Sequence, residues 1–336
     1  MIPDHDFLAL SRANEWQLEP FSFSLPNGDR AEVWDTGILC LEPANPGAKA
    51  LVLSSGIHGN ETAPIEICND LLRRLLSGEL QARHRTLFIF GNLAAMNLGV
   101  REIEENMNRL FSGAHSRGAG LCNRERMRAK RLEQYVARFF AGSGDDRCHY
   151  DLHTAIRGSR HEKFAVYPFL GEGRTYSQEQ VRFLGACGVR TFLLSEGATT
   201  TFSYFSTREF GAHGFTVELG KVRPFGENDM TRFIEARMAL EALVTRDAVA
   251  LEPWHADDFL FFRIARVINK RSEAFRFLFA DDVENFTEFP RGFLLAEDGE
   301  LRYQVEAERE AVVFPNAKVA VGQRTMLLVV PTRPWP

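Results

Sequence analysis

From about residue 50 to residue 244 the chain alternates between short continuous apolar runs and longer stretches where apolar residues return every three or four positions. Ala50–Ser54 predicts a buried strand, and Ile65, Cys68, Leu72, Leu75 and Leu76 fall at helical spacing behind Pro64, a residue suited to a helix's first turn. Thr86–Phe90, Phe164–Tyr167, Phe192–Ser195 and Phe215–Leu219 predict further strands; Arg131–Phe140, Gln178–Ala186 and Met230–Val244 predict helices. Apolar strands between helices indicate an α/β domain whose sheet is covered on both faces. The segment before Leu39 leaves room for an edge strand or two.

After Pro253 the pattern changes. Phe259–Asn269, Phe275–Phe279, Gly292–Leu295, Leu301–Val305, Ala311–Phe314 and Met326–Val330 are short β-branched or aromatic runs, separated by Asp-Asp, Pro-Arg-Gly, Asp-Gly and Pro-Asn turn signals. The expected division is therefore an α/β domain over residues 1–247 and a smaller β-rich domain over 248–336.

Composition narrows the function. At 336 residues, 45% hydrophobic and 25% charged, the chain is ordinary globular material. A net charge of −5 argues against a nucleic-acid binder that relies on phosphate neutralisation. The five cysteines, Cys40, Cys68, Cys122, Cys148 and Cys187, contain no Cys-x-x-Cys pair, so neither a disulfide framework nor a thiolate zinc site is expected. No apolar run approaches the ~18 residues that span a bilayer, and the first residues lack a signal-peptide pattern. A cytoplasmic protein is expected.

Chemistry enters at His58-Gly59-Asn60-Glu61, where a strand gives way to a helix. An imidazole and a carboxylate three residues apart suit a catalytic Zn²⁺, which takes three protein ligands and keeps one position open. Gly56 and Gly59 allow a tight turn around the histidine. A solvated turn with a helix-capping Glu61 fits these four residues equally well. His153, in Asp151-Leu152-His153-Thr154, is the best third ligand, although a lone histidine is more often a satisfied core residue. Asp151 reads either as an acceptor that orients a metal-bound imidazole or as a turn former. Glu218, a carboxylate inside the apolar run Thr216-Val217-Glu218-Leu219, is either ion-paired with Lys221 or Arg223, or a base with a raised pKa. Arg101, Asn108, Arg109 and Arg157 supply polar and positive groups suited to carboxylates.

In their order these motifs resemble the zinc carboxypeptidase fold, and within it the aspartoacylase and succinylglutamate desuccinylase branch. The likeness is carried by Gly56-Ile57-His58-Gly59-Asn60-Glu61-Thr62-Ala63-Pro64, Asn106-Met107-Asn108-Arg109, Asp151 to Ser159, and Glu218-Leu219-Gly220-Lys221. The resemblance implies a zinc-carboxypeptidase-like mixed sheet flanked by helices. It implies one Zn²⁺ per chain on His58, Glu61 and His153, with Glu218 as general base, Arg101 polarising the scissile carbonyl, and Asn108 and Arg109 gripping a substrate carboxylate. The implied substrate is a small anionic N-acyl amino acid, most specifically N2-succinyl-L-glutamate, cleaved during arginine breakdown. Two alternatives stand beside it: an aspartoacylase-like deacylase of another N-acyl amino acid, and a zinc-binding homologue without catalysis. One departure is Asn92-Leu93, where relatives commonly carry Asn-Pro; the loop loses the stiffness that a proline would give.

Overall fold

A computed structural model describes residues 2–118 and 122–335. The strands are β1 (Phe21–Ser24), β2 (Arg30–Asp35), β3 (Ile38–Glu42), β4 (Ala50–Ser55), β5 (Arg85–Phe90), β6 (Arg147–Ala155), β7 (Phe164–Tyr167), β8 (Thr191–Leu194) and β9 (His213–Lys221). Beyond them come β10 (Leu260–Asn269), β11 (Arg276–Phe277), β12 (Thr287–Glu288), β13 (Leu294–Asp298), β14 (Leu301–Gln304), β15 (Ala311–Val313) and β16 (Arg324–Thr332). The helices are α1 (Phe7–Ala13), α2 (Thr62–Leu76), α3 (Leu93–Leu98), α4 (Arg124–Phe140), α5 (Gln178–Ala186), α6 (Phe202–Phe210) and α7 (Ile234–Thr245).

Among these residues thirteen strands form one mixed sheet, in the order β1-β2-β3-β5-β4-β6-β9-β7-β8-β10-β16-β15-β12. Its centre is parallel: β4 pairs in parallel with β5 on one side and β6 on the other, and β6 with β9. Side chains alternate across the sheet, so Leu51 and Leu53 join one core with α2, α5 and α7, while Ala50 and Val52 join another with α4 and α6. Both faces are covered, as the apolar runs predict. The chain leaves β4 through α2 towards β5 and later returns to β4's other side with β6. Such a switch opens a crevice beyond the carboxyl ends of the strands.

Residues 257–332 do not form a detached body. β10 runs parallel to β8, with Leu260 beside Thr191 and Arg263 beside Leu194, and so extends the main sheet. Phe262, Phe286, Val313 and Leu327 share a core with Phe164 and Leu193. A three-stranded sheet, β11-β13-β14, and a second apolar cluster around Phe275, Leu295 and Met326 complete this region.

One element differs from expectation for a local reason. α4 begins at Arg124, seven residues before the predicted Arg131, because Asn123 caps it by accepting from the Arg126 amide, and the charge-dense first turns hide the apolar period. The segment before Leu39 supplies β1 and β2 at one edge of the sheet, in line with the edge strand or two expected there, and adds the short helix α1. In β1 alternate positions are exposed, so little apolar signal marks it.

Candidate metal centre

β4 ends at Ser55, and the next six residues turn sharply before α2 begins at Thr62. Gly56 has φ +66°, and a Cβ on Gly59 would come within 2.3 Å of the Ala95 and Met96 backbone of α3. Both glycines are therefore required, one for its left-handed conformation and one for close approach. The neighbouring Asn92-Leu93 loop is pinned without a proline: Asn92 Oδ1 accepts from the Ala95 amide at 3.2 Å, and Asn92 Nδ2 donates to Glu125 Oε1.

Glu61 occupies the N-cap position of α2 but makes no side-chain cap. Its carboxylate turns instead towards the crevice. Oε1 lies 2.8 Å from His58 Nδ1 and 2.5 Å from Arg101 Nη1; Oε2 lies 2.8 Å from His153 Nδ1 and accepts from the Thr154 amide at 3.2 Å. The solvated-turn reading is excluded, since His58, Glu61 and His153 are all buried. Their ligand atoms lie within 4.8 Å of one another.

The outer nitrogens of both rings are held by acceptors. His58 Nε2 is 3.0 Å from Asn106 Oδ1, an oxygen that also accepts from the Asn108 amide. His153 Nε2 is 2.9 Å from Asp151 Oδ2. Each Nε2 therefore carries a proton, and on a neutral ring Nδ1 aims its lone pair at Glu61. The lone pair of a neutral ring facing a carboxylate at 2.8 Å repels it unless positive charge sits between them. Burial, then the Arg101 charge, pushes His58 down to about 4, so its ring is neutral near pH 7. Burial also opposes charge on His153, yet the Asp151 and Glu61 carboxylates outweigh it and hold its pKa well above the ordinary value. A divalent cation on the two Nδ1 atoms and Glu61 would relieve the repulsion at His58 and take the place of the proton that His153 holds, and two imidazoles with one carboxylate are a donor set suited to zinc.

Asp151 is itself positioned. Its Oδ1 accepts from Ser54 Oγ at 2.6 Å; Ser54 Oγ lies 2.8 Å from His149 Nε2, and His149 Nδ1 lies 2.7 Å from Ser206 Oγ. Every donor in this buried chain has one acceptor if His149 is neutral, and burial lowers its pKa to about 4. Asp151 thus lies within β6 and orients the His153 ring as its acceptor, rather than forming a turn. Asp151→Asn should weaken metal affinity by ~10–100-fold, measured by competition with a chromogenic chelator. Unchanged affinity would reduce Asp151 to a packing role.

β6 and β9 set His153 beside Glu218 in register. Lys221 and Arg223 are both exposed, and no ion pair to Glu218 exists among the described residues, so the pairing reading is overturned. Glu218 Oε2 is buried without a hydrogen-bond partner. Burial, reinforced by the Glu61 charge, raises Glu218 to about 7. Asn60 Oδ1 and Thr154 Oγ1 are likewise buried and unpartnered. An unpartnered carboxylate oxygen beside the His153 ligand is what a site made for a polar ligand leaves behind.

The remaining candidates separate. Asn108 is anchored through Oδ1, which accepts from the Phe202 amide at the start of α6, and its Nδ2 reaches to 3.5 Å from His153 Nε2. Arg109 donates to the Asn108 carbonyl, and burial together with the Arg101 charge lowers its pKa to about 10. Arg157 donates to the Asp281 carbonyl and so ties the loop after β6 to the C-terminal region. Asn106, Ser54, His149 and Ser206 were not assigned from sequence. His149 had a usable signal, since 149, 151 and 153 share one face of a strand; the Ser54 and Ser206 contacts are set by register and packing that spacing does not reveal.

Residues 47–244 match the family described as the succinylglutamate desuccinylase/aspartoacylase catalytic domain, and residues 257–332 match the AstE/AspA barrel-sandwich hybrid domain. A protein of Shewanella sp. (strain MR-7) named succinylglutamate desuccinylase is 54% identical over 335 residues, covering 99% of this chain and 97% of that protein. The crystal structure of the succinylglutamate desuccinylase from Chromobacterium violaceum superposes with a TM-score of 0.86 at 40% identity, covering 98% of each chain. That from Vibrio cholerae superposes with a TM-score of 0.87 at 33% identity, covering 97% of this chain and 94% of the other.

Proposed function

The chain belongs to the succinylglutamate desuccinylase/aspartoacylase family, and on that premise we propose that it hydrolyses the amide bond of N2-succinyl-L-glutamate to succinate and L-glutamate. One zinc ion on His58, Glu61 and His153 would serve this chemistry. The observation that carries the catalytic reading is Glu218, a buried carboxylate with an unpartnered oxygen, set beside the His153 ligand. A purely structural zinc site is normally closed by a fourth protein ligand and has no use for a base. The substrate rests on the names of the full-length relatives.

When bound, zinc makes a coordinated water acidic enough to react near neutral pH and draws electron density from the amide carbonyl. Glu218 takes one proton from the attacking water, and the water oxygen joins the carbonyl carbon. As the C–N bond breaks, Glu218 returns that proton to the departing amine. Arg101, against the outer edge of Glu61, offers positive charge to the developing oxyanion. Asn108 Nδ2 and the Arg109 guanidinium bind substrate carboxylate, and Arg157, four residues past His153, adds positive charge at the outer edge. The five unpaired thiols suit a reducing compartment, and no helix among the described residues is long and apolar enough to cross a membrane. We place the reaction in the cytoplasm, in the breakdown of succinylated arginine intermediates.

Release of free glutamate from N-succinylglutamate, assayed beside N-acetylaspartate, tests the reading. Faster turnover of the succinyl compound is expected; preference for acetylaspartate would make the chain an aspartoacylase-like deacylase, and no turnover of either would remove the hydrolase reading. Arg109→Ala should raise KM at least ~10-fold with a smaller change in kcat. An unchanged KM would show that Arg109 meets no substrate carboxylate.

A further inference from the structure

We propose that Arg324, contributed by β16 of the C-terminal region, is a substrate-binding residue that takes one carboxylate of the anionic substrate and makes this region part of the specificity pocket. This inference rests on the succinylglutamate reading and extends it to a residue outside the catalytic-domain motifs.

Several observations converge on Arg324. Its Nε is buried and has no hydrogen-bond partner, and no carboxylate pairs with its guanidinium among the described residues. The guanidinium lies over the Phe314 ring, its carbon 5.5 Å from the ring centroid. Phe314 holds a left-handed backbone conformation, φ 54°, that a bulky residue rarely adopts. Its amide donates to Asn285 Oδ1 at 2.7 Å, while the Asn285 backbone is bonded to Gly158 and Arg160. The strained platform under Arg324 is therefore tied to the loop that leaves His153.

The charges around Arg324 point the same way. Burial depresses its pKa well below the ordinary arginine value, and the further depression comes from Arg109 and Arg101. Three guanidinium groups thus gather within electrostatic reach of one another. Arg101 is answered by Glu61, and Arg109 feels Glu102 and Glu218. Among the described residues, the charges that act on Arg324 are the like charges of Arg109 and Arg101. A half-buried cation with cationic neighbours and an idle buried Nε is unfavourable in the free protein; an entering carboxylate relieves it through a charge-assisted pair. N-succinylglutamate carries three carboxylates, so a third guanidinium suits it. Backbone strain and unsatisfied groups of this kind gather at ligand clamps, where stability is given up for binding.

The test compares Arg324→Met and Arg324→Lys with the native enzyme. Substrates are N-succinylglutamate and three analogues that each lack one carboxylate: N-butyrylglutamate, N-succinylglutamine and N-succinyl-γ-aminobutyrate. Arg324→Met should raise the KM for N-succinylglutamate at least ~10-fold, with Arg324→Lys between it and the native enzyme. For one analogue the Met variant should match the native enzyme, because the carboxylate that Arg324 meets is already absent. Its Tm should equal or exceed the native value, since an unpaired half-buried charge has been removed. An unchanged KM, an equal penalty on all three analogues, or a Tm lowered in both variants would overturn the proposal. Native enzyme that fails to hydrolyse N-succinylglutamate would instead refute the functional reading on which it rests.

Discussion

Glu218→Gln should retain its metal and lose at least ~10²-fold in kcat, and up to ~10⁴-fold if proton transfer limits the native rate. The amide has nearly the volume of the carboxylate, so the packing of β9 against β6 survives while the base is lost. The ligands His58, Glu61 and His153 are untouched, which is why metal content is the necessary control. The native pH profile supplies a second signature. Glu218 accepts a proton only when ionised, and burial with the Glu61 charge raises it to about 7 in the metal-free chain. Activity should fall as pH drops through the interval between the ordinary value of 4.5 and about 7, with a bound cation drawing the midpoint towards the lower end. The residual activity of the Gln variant should lack this acid limb. A variant with near-native turnover, or one that keeps the limb, would remove Glu218 from the mechanism.

His153→Ala should abolish stoichiometric metal binding and reduce kcat/KM by at least ~10³-fold. Zinc contributes several kcal/mol of transition-state stabilisation, and each 1.36 kcal/mol is about tenfold in rate. The loss should exceed that of Asp151→Asn, which leaves the ligand in place and disturbs only its support. Native enzyme stripped with a chelator should regain activity when zinc is added back, whereas the Ala variant should not. A variant that binds metal and turns over like the native chain would place the ligand set elsewhere.

How far the site could be read in advance depended on the range of the interaction. His58 and Glu61 are three residues apart at a glycine-flanked turn, so both the ligand chemistry and the geometry it needs are local. The β4 and α2 patterns are local as well, and the structure follows them. His153 and Glu218 became firm only through motif order, because nothing in either segment fixes the register that sets them side by side. For Glu218 the nearest cations in sequence, Lys221 and Arg223, misled: they are exposed beyond the strand, and the groups that perturb the carboxylate are Glu61, His153, Arg101 and Asp151.

Ser54, Ser206 and Arg324 lay further from view. Ser54 is one hydroxyl at the end of an apolar strand, and its role exists only because β4 pairs with β6 so that position 54 meets 151. Arg324 lies two residues ahead of the Met326–Val330 run whose strand pattern was evident, and its approach to Arg101 and Arg109 requires β10 to dock on β8 and β16 to return along β10. Among the helices, Phe202–Phe210 is rich in aromatic residues and lacks a clear apolar stripe, because most of its positions are buried. Periodicity fails where an element is buried on nearly every side.

The central claim is that the two Nδ1 atoms and the Glu61 carboxylate converge on one ion beside Glu218. Anomalous diffraction at the zinc edge from crystals of the zinc-loaded protein measures this directly. One strong peak per chain, bonded to His58 Nδ1, Glu61 and His153 Nδ1, is expected; a peak on other residues, or none at full zinc loading, would contradict it.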